Sequence, residues 1–200
     1  MSQLLQQRTI KETFRIKMSQ QDVATLLTAA YMAEVKYRGM TYQENSHTTE
    51  AIKKMAEALT TESHKSGILM CGTCGNGKTT LLRALQNALI YLKRNVSYEL
   101  KQGIIILDAR EIASKIAEAK NYPLLAIEDM GKEPTQVLDY GNVLNPVIEV
   151  LEHRYNEQLF TVITTNLTPK EIREKYGARI ADRFNEMMNV IVFNGSSFRK

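Results

Sequence analysis

The feature that most constrains this chain is a glycine-rich run at residues 72–79, GTCGNGKT, which matches G-x-x-x-x-G-K-[ST] at every fixed position. A short apolar run, ILMC, precedes it, and a helical stretch, TLLRALQNALIYLKR, follows it. Glycines let backbone N–H groups turn inward around an anion, and the following helix adds the positive end of its dipole. The pattern therefore predicts a phosphate-binding loop between a buried strand and a helix.

Two side chains of this loop suit specific parts of a nucleotide. Lys78 brings a positive charge to the β- and γ-phosphates, and the Thr79 hydroxyl can bind Mg²⁺. ATP and Mg²⁺ are therefore the expected ligands. The predicted nucleotide-binding residues are Gly72, Thr73, Cys74, Gly75, Asn76, Gly77, Lys78, Thr79 and Thr80.

Apolar runs and helical stretches alternate along the rest of the chain. The runs, which we interpret as strands, lie at 68–71, 104–107, 124–127, 160–164 and 190–193. The helical stretches lie at 79–94, 110–120, 142–156 and 169–185. This alternation predicts an α/β fold, a three-layer sandwich in which helices cover both faces of a five-stranded parallel sheet.

A helical N-terminal preface precedes this core. Ser19 and Asp22 form a start signal for a first helix, and Gly39 suits its end. A second helix is predicted over 49–61, and residues 1–17 are expected to form a mobile arm or a short helix. The expected organisation is a helical N-terminal segment at 1–62 and a P-loop ATPase core at 63–200.

The third apolar run ends in two adjacent acids, in the sequence PLLAIEDMG. P-loop ATPases hold magnesium and polarise the attacking water at such a strand end. By position, Glu128 is the candidate metal-shell residue and Asp129 the candidate water-activating residue. The common order is Asp first and often Glu second, so the two acids are reversed here. Two exposed acids at a strand end are the alternative.

Charge, hydropathy and cysteine content limit the possible partners and cellular location of the chain. The formal net charge is +4, and cations exceed acids within residues 1–20 and 170–200, which indicates either contact with nucleic-acid phosphates or a solvated surface. No apolar run approaches the roughly 20 residues of a membrane span, and the N-terminus is too polar for a signal peptide. Cys71 and Cys74 form a CxxC without the second pair that a zinc site needs, so both are expected to stay reduced in a cytoplasmic protein.

Three later segments complete a family pattern. FTVITTNLTP ends a strand with Asn166, GARIADRF places Arg179 and Arg183 four residues apart, and VIVFNGSSFRK contains Arg199. Together with the phosphate loop and LLAIEDMG, these segments resemble the DnaC/IstB-like branch of the AAA+ ATPases, from about residue 67 to 199. The resemblance implies the strand order 5-1-4-3-2 and a nucleotide at an edge shared by neighbouring subunits.

The resemblance also implies roles for single residues. Asn166 matches the sensor-1 residue that orients water against the γ-phosphate, and Arg183 matches the arginine finger that reaches a neighbour's ATP. Arg199 resembles a sensor-2 residue, and Arg154 matches an arginine whose role is either at an interface or in the core. The sequence offers no evident cation in cis beyond Lys78, which makes a finger in trans the expected source of the second positive charge.

The implied function is that of a AAA+ ATPase that assembles on ATP through its nucleotide site, binds single-stranded DNA, and loads or remodels a replicative helicase in DNA replication. Hydrolysis is expected to be slow and stimulated by the partner or by DNA, and no membrane contact is expected. Two alternatives remain open: an IstB-like helper ATPase that directs a transposase, and a nucleotide-gated adaptor with little hydrolysis.

Overall fold

A computed structural model describes residues 13–95, 103–134, 137–139 and 142–195, with the backbone alone for 137–139 and 142–144. Its elements are, in chain order, α1 (Gln20–Tyr37), α2 (Ser46–Thr60), β1 (Gly67–Gly72), α3 (Lys78–Asn95), β2 (Ile105–Asp108), a 3₁₀ helix (Ala109–Ser114), α4 (Ile116–Asn121), β3 (Leu124–Met130), β4 (Val137–Asp139), β5 (Asn142–Leu144), α5 (Pro146–Asn156), β6 (Phe160–Thr165), α6 (Pro169–Met187) and β7 (Met188–Phe193).

Five of these strands form one sheet in the order β2-β3-β6-β1-β7, and every neighbouring pair is parallel. Counted along the chain without the β4–β5 pair, this order is 5-1-4-3-2, so the predicted topology is confirmed. β1 lies between β6 and β7. The loop after β1 therefore emerges beside the ends of two neighbouring strands.

The central strands β1, β3 and β6 are buried on both faces, which gives three layers. Ile68 and Met70 of β1 belong to the core cluster that includes residues of α1, α2 and α3. Leu69, between them, belongs to the opposite cluster with residues of α5 and α6. The nearly continuous apolar strands in the sequence reflect this double burial.

The N-terminal helices pack on the same core as the sheet. The Ser19 side chain caps α1 by accepting from the N–H of Asp22, and Gly39, with a φ of 72°, follows the helix end. Of the predicted arm, residues 13–17 are described and are not helical: Ile16 is buried and Phe14 packs edge-on against Phe160. The division of the chain at residue 62 stays a prediction.

Two predicted helices differ from the structure. The stretch 110–120 is a 3₁₀ helix followed by the short α4, because Asp108 and Glu111 form a capping box that starts the chain in a tight turn. The stretch 142–156 becomes helical only at Pro146, capped by Asn145, and residues before it pair with β4 in an antiparallel hairpin. None of the helices in the described part of the chain combines the length and the apolar content that a membrane span requires.

Candidate nucleotide site

The glycine-rich run forms a tight loop between β1 and α3. Gly72, Gly75 and Gly77 all have positive φ angles, which residues with a side chain rarely adopt. A Cβ on Gly72 would lie 2.3 Å from the carbonyl oxygen of Phe193 on β7. The loop can therefore follow this path only with glycine at the strand end, and the local sequence determines the local geometry.

Lys78 points into the loop. Its Nζ donates to the carbonyl oxygens of Gly72 and Thr73, each at 2.7 Å, and lies 3.1 Å from Oδ1 of Asn76. The residue is only 6% exposed, and burial lowers the pKa of Lys78 while nearby groups, including Asp129, raise it. An anion in the loop would favour the charged form of this desolvated ammonium group.

Two predicted loop residues hold the loop to its framework. Asn76 is buried, and its Nδ2 donates to the carbonyl oxygen of Phe193 at 2.9 Å. Thr80 is also buried, close to Tyr31 of α1; burial raises the pKa of Tyr31, and Thr48 and, to a smaller extent, Thr80 act against this rise. Both side chains therefore brace the loop, and any nucleotide contact from these positions would come from their backbone.

The two acids lie at an irregular strand end. The register of β3 against β6 shifts between Ile127 and Met130, and Asp129 has a φ of 59°. Hydroxyl groups of β6 stabilise this bulge: the N–H of Asp129 donates to Thr164 at 2.9 Å, and Thr165 donates to the carbonyl oxygen of Met130 at 2.6 Å. The bulge separates the directions of the two neighbouring carboxylates.

Glu128 faces α3, where it pairs with a residue that the sequence analysis missed. Arg83 Nη2 lies 3.2 Å from Glu128 Oε2. Arg83 is four residues after Thr79, which places both on one face of the helix, and this spacing was the available signal. The pair borders a cavity of about 370 Å³ at the ends of β2 and β3, where Arg110 is hydrogen-bonded to Asp108.

Asp129 turns toward the loop and also has a cationic partner. Lys132 Nζ lies 2.5 Å from Asp129 Oδ2, and its charge contributes to lowering the pKa of Lys78. The negative charge of Asp129 raises the pKa of Lys78. The expectation that Lys78 is the one evident cation in cis is therefore wrong, because the turn after β3 brings Lys132 back over the strand end.

The donor set at the loop fits a magnesium ion carried by a nucleotide. Thr79 offers a half-buried hydroxyl and Glu128 a carboxylate whose side chain is 14% exposed. Within the described residues, no group of three or more His, Cys, Asp or Glu side chains could hold a metal ion. Mg²⁺ commonly uses one or two protein oxygens together with phosphates and water, so these residues fit it once Glu128 leaves Arg83.

Asn166 lies where the sequence predicts a sensor. It follows β6, the neighbour of β1, and its Nδ2 is 3.6 Å from Sγ of Cys74 in the loop. Cys74 is exposed and Cys71 half-buried, and both are free thiols. The structure thus brings Lys78, Asp129 and Asn166 to one end of the sheet, and the catalytic roles of these residues stay predictions.

The two arginines of α6 in the family pattern, Arg179 and Arg183, contact α5 instead of the loop. Arg183 Nη1 lies 2.9 Å from Glu152 Oε1 without the alignment of a hydrogen bond, and its guanidinium stacks 4.7 Å from the ring centre of Tyr155. Its side chain is 13% exposed, whereas that of Arg179, which shares Glu152, is 71% exposed. A finger role for Arg183 stays a prediction, and Arg199 lies outside the described residues.

Arg154 belongs to the core, which decides between the two roles left open for it. It has no exposed surface, and its guanidinium donates to backbone carbonyl groups of α4, of the segment after it and of β6. Burial lowers the pKa of Arg154 to about 9. The residue joins the end of α4 to the start of β6, away from any exposed interface.

Comparisons with known proteins support this fold. No protein-family model matches the chain. The replicative helicase loader DnaI of Bacillus subtilis is 27% identical over 139 residues, covering 65% of this chain, and the chain spans 41% of the length of that relative.

Solved structures share the architecture. The crystal structure of the DnaC helicase loader has a TM-score of 0.58 at 21% identity, covering 76% of this chain and 93% of that chain. A crystal structure of DnaI also has a TM-score of 0.58, at 23% identity, and the match covers 80% of this chain and 88% of that chain. AMPPCP-bound DnaA from Aquifex aeolicus has a TM-score of 0.51 at 20% identity, and the match covers 75% of this chain and 48% of that chain. The chain has the AAA+ P-loop fold, and its resemblance to the DnaC-like helicase loaders is confirmed at low identity.

Proposed function

We propose that this chain, a protein with the AAA+ fold, binds ATP with Mg²⁺ in the loop 72–80 and hydrolyses it slowly. One observation carries the proposal: the buried ammonium of Lys78 sits inside the loop, 2.7 Å from each of two loop carbonyl oxygens. An ammonium group held inside a glycine-rich loop at the start of a helix suits a phosphate, to which its donors can turn from the carbonyl oxygens. Asp129 and Asn166 at the same sheet end supply candidates for handling the attacking water.

Each residue has a proposed part in the reaction. Lys78 neutralises charge on the β- and γ-phosphates, and Thr79 with Glu128 holds Mg²⁺, which supplies further charge neutralisation when bound. Asp129 accepts a proton from the water that attacks the γ-phosphate, and Asn166 orients this water. Slow turnover is expected, because Glu128 must leave its ion pair with Arg83 before it can help to hold Mg²⁺.

We further propose that the ATP-bound protein assembles through its nucleotide site and acts on a replicative helicase during DNA replication. The DnaI relative is named a replicative helicase loader and the DnaC structure a helicase loader, and this chain shares their fold. In the assembly, Arg183 of one subunit would leave Glu152 and approach the γ-phosphate of its neighbour. Single-stranded DNA is the proposed second partner.

The nucleotide part is tested by calorimetry with AMPPCP and Mg²⁺, and by phosphate release from ATP. Lys78→Ala should abolish both binding and release in a folded protein, whereas Lys54→Ala, at a surface ion pair with Glu50, should change neither. Binding and turnover equal to wild type in folded Lys78→Ala would refute the phosphate-loop assignment.

The partner is tested with the purified replicative helicase of the host and circular single-stranded DNA. Helicase bound to the circles should increase with this protein and ATP, and phosphate release should rise when DNA is present. Nucleotide binding with no effect on the helicase, and no stimulation by DNA, would leave the ATP site valid and reject the loader role.

A further inference from the structure

The turn after β3 directs one lysine onto the carboxylate of Asp129, at the end of that strand. The N–H of Lys132 donates to the carbonyl oxygen of Asp129 at 3.1 Å, and its Nζ lies 2.5 Å from Asp129 Oδ2. The Lys132 side chain is 48% exposed and that of Asp129 is 25% exposed. An incoming anion can therefore reach this ammonium group from solvent.

Both neighbours of Lys132 in this turn are fixed by hydrogen bonds, within the turn and to α6. The N–H of Gly131 donates to Glu133 Oε2 at 2.8 Å, and the hydroxyl of Tyr176 donates to Glu133 Oε1. Lys175 Nζ donates to the carbonyl oxygens of Gly131 at 2.6 Å and Glu133 at 2.9 Å. Because the backbone on each side of Lys132 is fixed, the direction in which its side chain leaves the turn is fixed as well.

The balance of charges around the loop and Asp129 indicates what Lys132 could bind. Lys78 and Lys132 both interact with the carboxylate of Asp129. Arg83 is paired with Glu128 and Arg110 with Asp108, although Lys132 also acts on Asp108 and Arg110 on Asp129. Two ammonium groups and one carboxylate leave a local excess of positive charge. A polyphosphate in the loop would complement this excess, and its terminal phosphate carries the highest charge density.

Building on the proposed ATP site, we propose that Lys132 binds the γ-phosphate and moves from Asp129 to that phosphate when ATP binds. ADP lacks the group that attracts Lys132, so with ADP the ammonium remains on Asp129. The residue would therefore let the site distinguish ATP from ADP. It would also make the carboxylate of Asp129 available for the attacking water only when a γ-phosphate is present.

The test measures the Kd for AMPPCP and for ADP, each with Mg²⁺, by calorimetry on the full chain. Lys132→Met keeps the side-chain stem and removes the charge. We expect it to weaken AMPPCP binding about tenfold, as for one exposed charge-assisted hydrogen bond, and to change ADP binding less than about twofold. Lys170→Met, at an 86% exposed position on α6, is the matched control and should change neither value.

Lys78→Met separates this proposal from the proposed function. In the first outcome, Lys78→Met weakens the binding of AMPPCP and of ADP, while Lys132→Met changes neither affinity or weakens both equally. The ATP site then stands, and the γ-phosphate role of Lys132 is overturned. If Lys78→Met also binds both as wild type does, the ATP site itself is rejected, and the proposal falls with it. Circular dichroism confirms folding of each variant, and Lys132→Gln provides a second neutral replacement.

The exchange between Asp129 and the phosphate has its own readout. Asp129→Asn removes the competing carboxylate and should strengthen AMPPCP binding in the wild-type background more than in Lys132→Met. A double-mutant cycle with these two changes measures that coupling. Additive effects on AMPPCP binding would show that Lys132 does not exchange partners, and would overturn this part of the proposal.

Discussion

Replacing the buried arginine of α5 with methionine should destabilise the whole domain. The Arg154 guanidinium donates to Thr161 Oγ1 at 2.8 Å and to the carbonyl oxygens of Ala119 at 2.9 Å, Tyr122 at 2.7 Å and Phe160 at 2.7 Å. Methionine fills the space of the stem but donates to none of these oxygens. The substitution therefore leaves three backbone carbonyl groups without this donor.

The expected loss follows from these contacts. Each buried carbonyl that loses its partner costs roughly 1–3 kcal/mol, or about 6 kcal/mol for three. Removing a buried charge returns several kcal/mol of desolvation free energy. The net expectation for Arg154→Met is a loss of about 3 kcal/mol in the free energy of unfolding, which corresponds to a fall of about 10 °C in Tm for a chain of this size.

Urea titration followed by circular dichroism measures this loss. Arg179→Met is the matched control, because its side chain is 71% exposed, and it should change stability by less than about 0.5 kcal/mol. Burial lowers the pKa of Arg154 to about 9, below its ordinary value. Above about pH 9 the unfolded chain keeps this proton while the folded chain loses it, so the free energy of unfolding linked to Arg154 rises with pH only in that range. The difference in stability between wild type and Arg154→Met should therefore be constant between pH 6 and 8. A loss below about 1 kcal/mol would refute the assignment of these carbonyl groups to Arg154.

Three further predictions concern the nucleotide site. Gly72→Ala should abolish AMPPCP binding, since its Cβ would lie 2.3 Å from a backbone oxygen of β7, and calorimetric binding within twofold of wild type would contradict this. Asp129→Asn should slow phosphate release, while Glu128→Gln should mainly raise the Mg²⁺ concentration needed for half-maximal release. Identical Mg²⁺ titrations for these two variants would mean that their roles are not divided. Arg183→Ala should bind ATP like wild type and hydrolyse it poorly, and mixing it with Lys78→Ala should restore phosphate release. Wild-type specific activity that is unchanged down to monomeric concentrations would exclude a finger in trans.

The phosphate loop and the sheet order could be predicted because their signals are local or follow from the family pattern. Gly72 and Lys78 lie within one short motif, and the strands alternate with helices along the chain. The ion pair of Arg83 and Glu128 was not predictable in this way, because 45 residues separate the two partners. Lys132 was missed for a different reason: it is only three residues from Asp129, but the contact between them depends on a turn geometry that no motif encodes.

The β4–β5 hairpin and the burial of Arg154 were missed or left open for related reasons. Residues 142–144 continue smoothly into a helical pattern, and only Asn145 followed by Pro146 marks the true helix start. An arginine on a helix is usually at the surface, so the sequence alone could not decide between an interface and the core for Arg154. Its neutral partners are backbone carbonyl groups and the hydroxyl of Thr161, which leave no pattern in the sequence.

The reversed order of the two acids is also a matter of backbone conformation. Position 129 has a φ of 59°, in the left-handed region that aspartate tolerates better than glutamate, because a short side chain can bond to the neighbouring backbone. Restoring the common order would place glutamate in this strained position and shorten the side chain that faces α3. An exchange of the two residues would keep the same two charges and yet shift each carboxylate by the length of one methylene group. In this bulge, the identity of each acid is therefore part of the architecture, and the pair cannot be permuted as if only its total charge mattered.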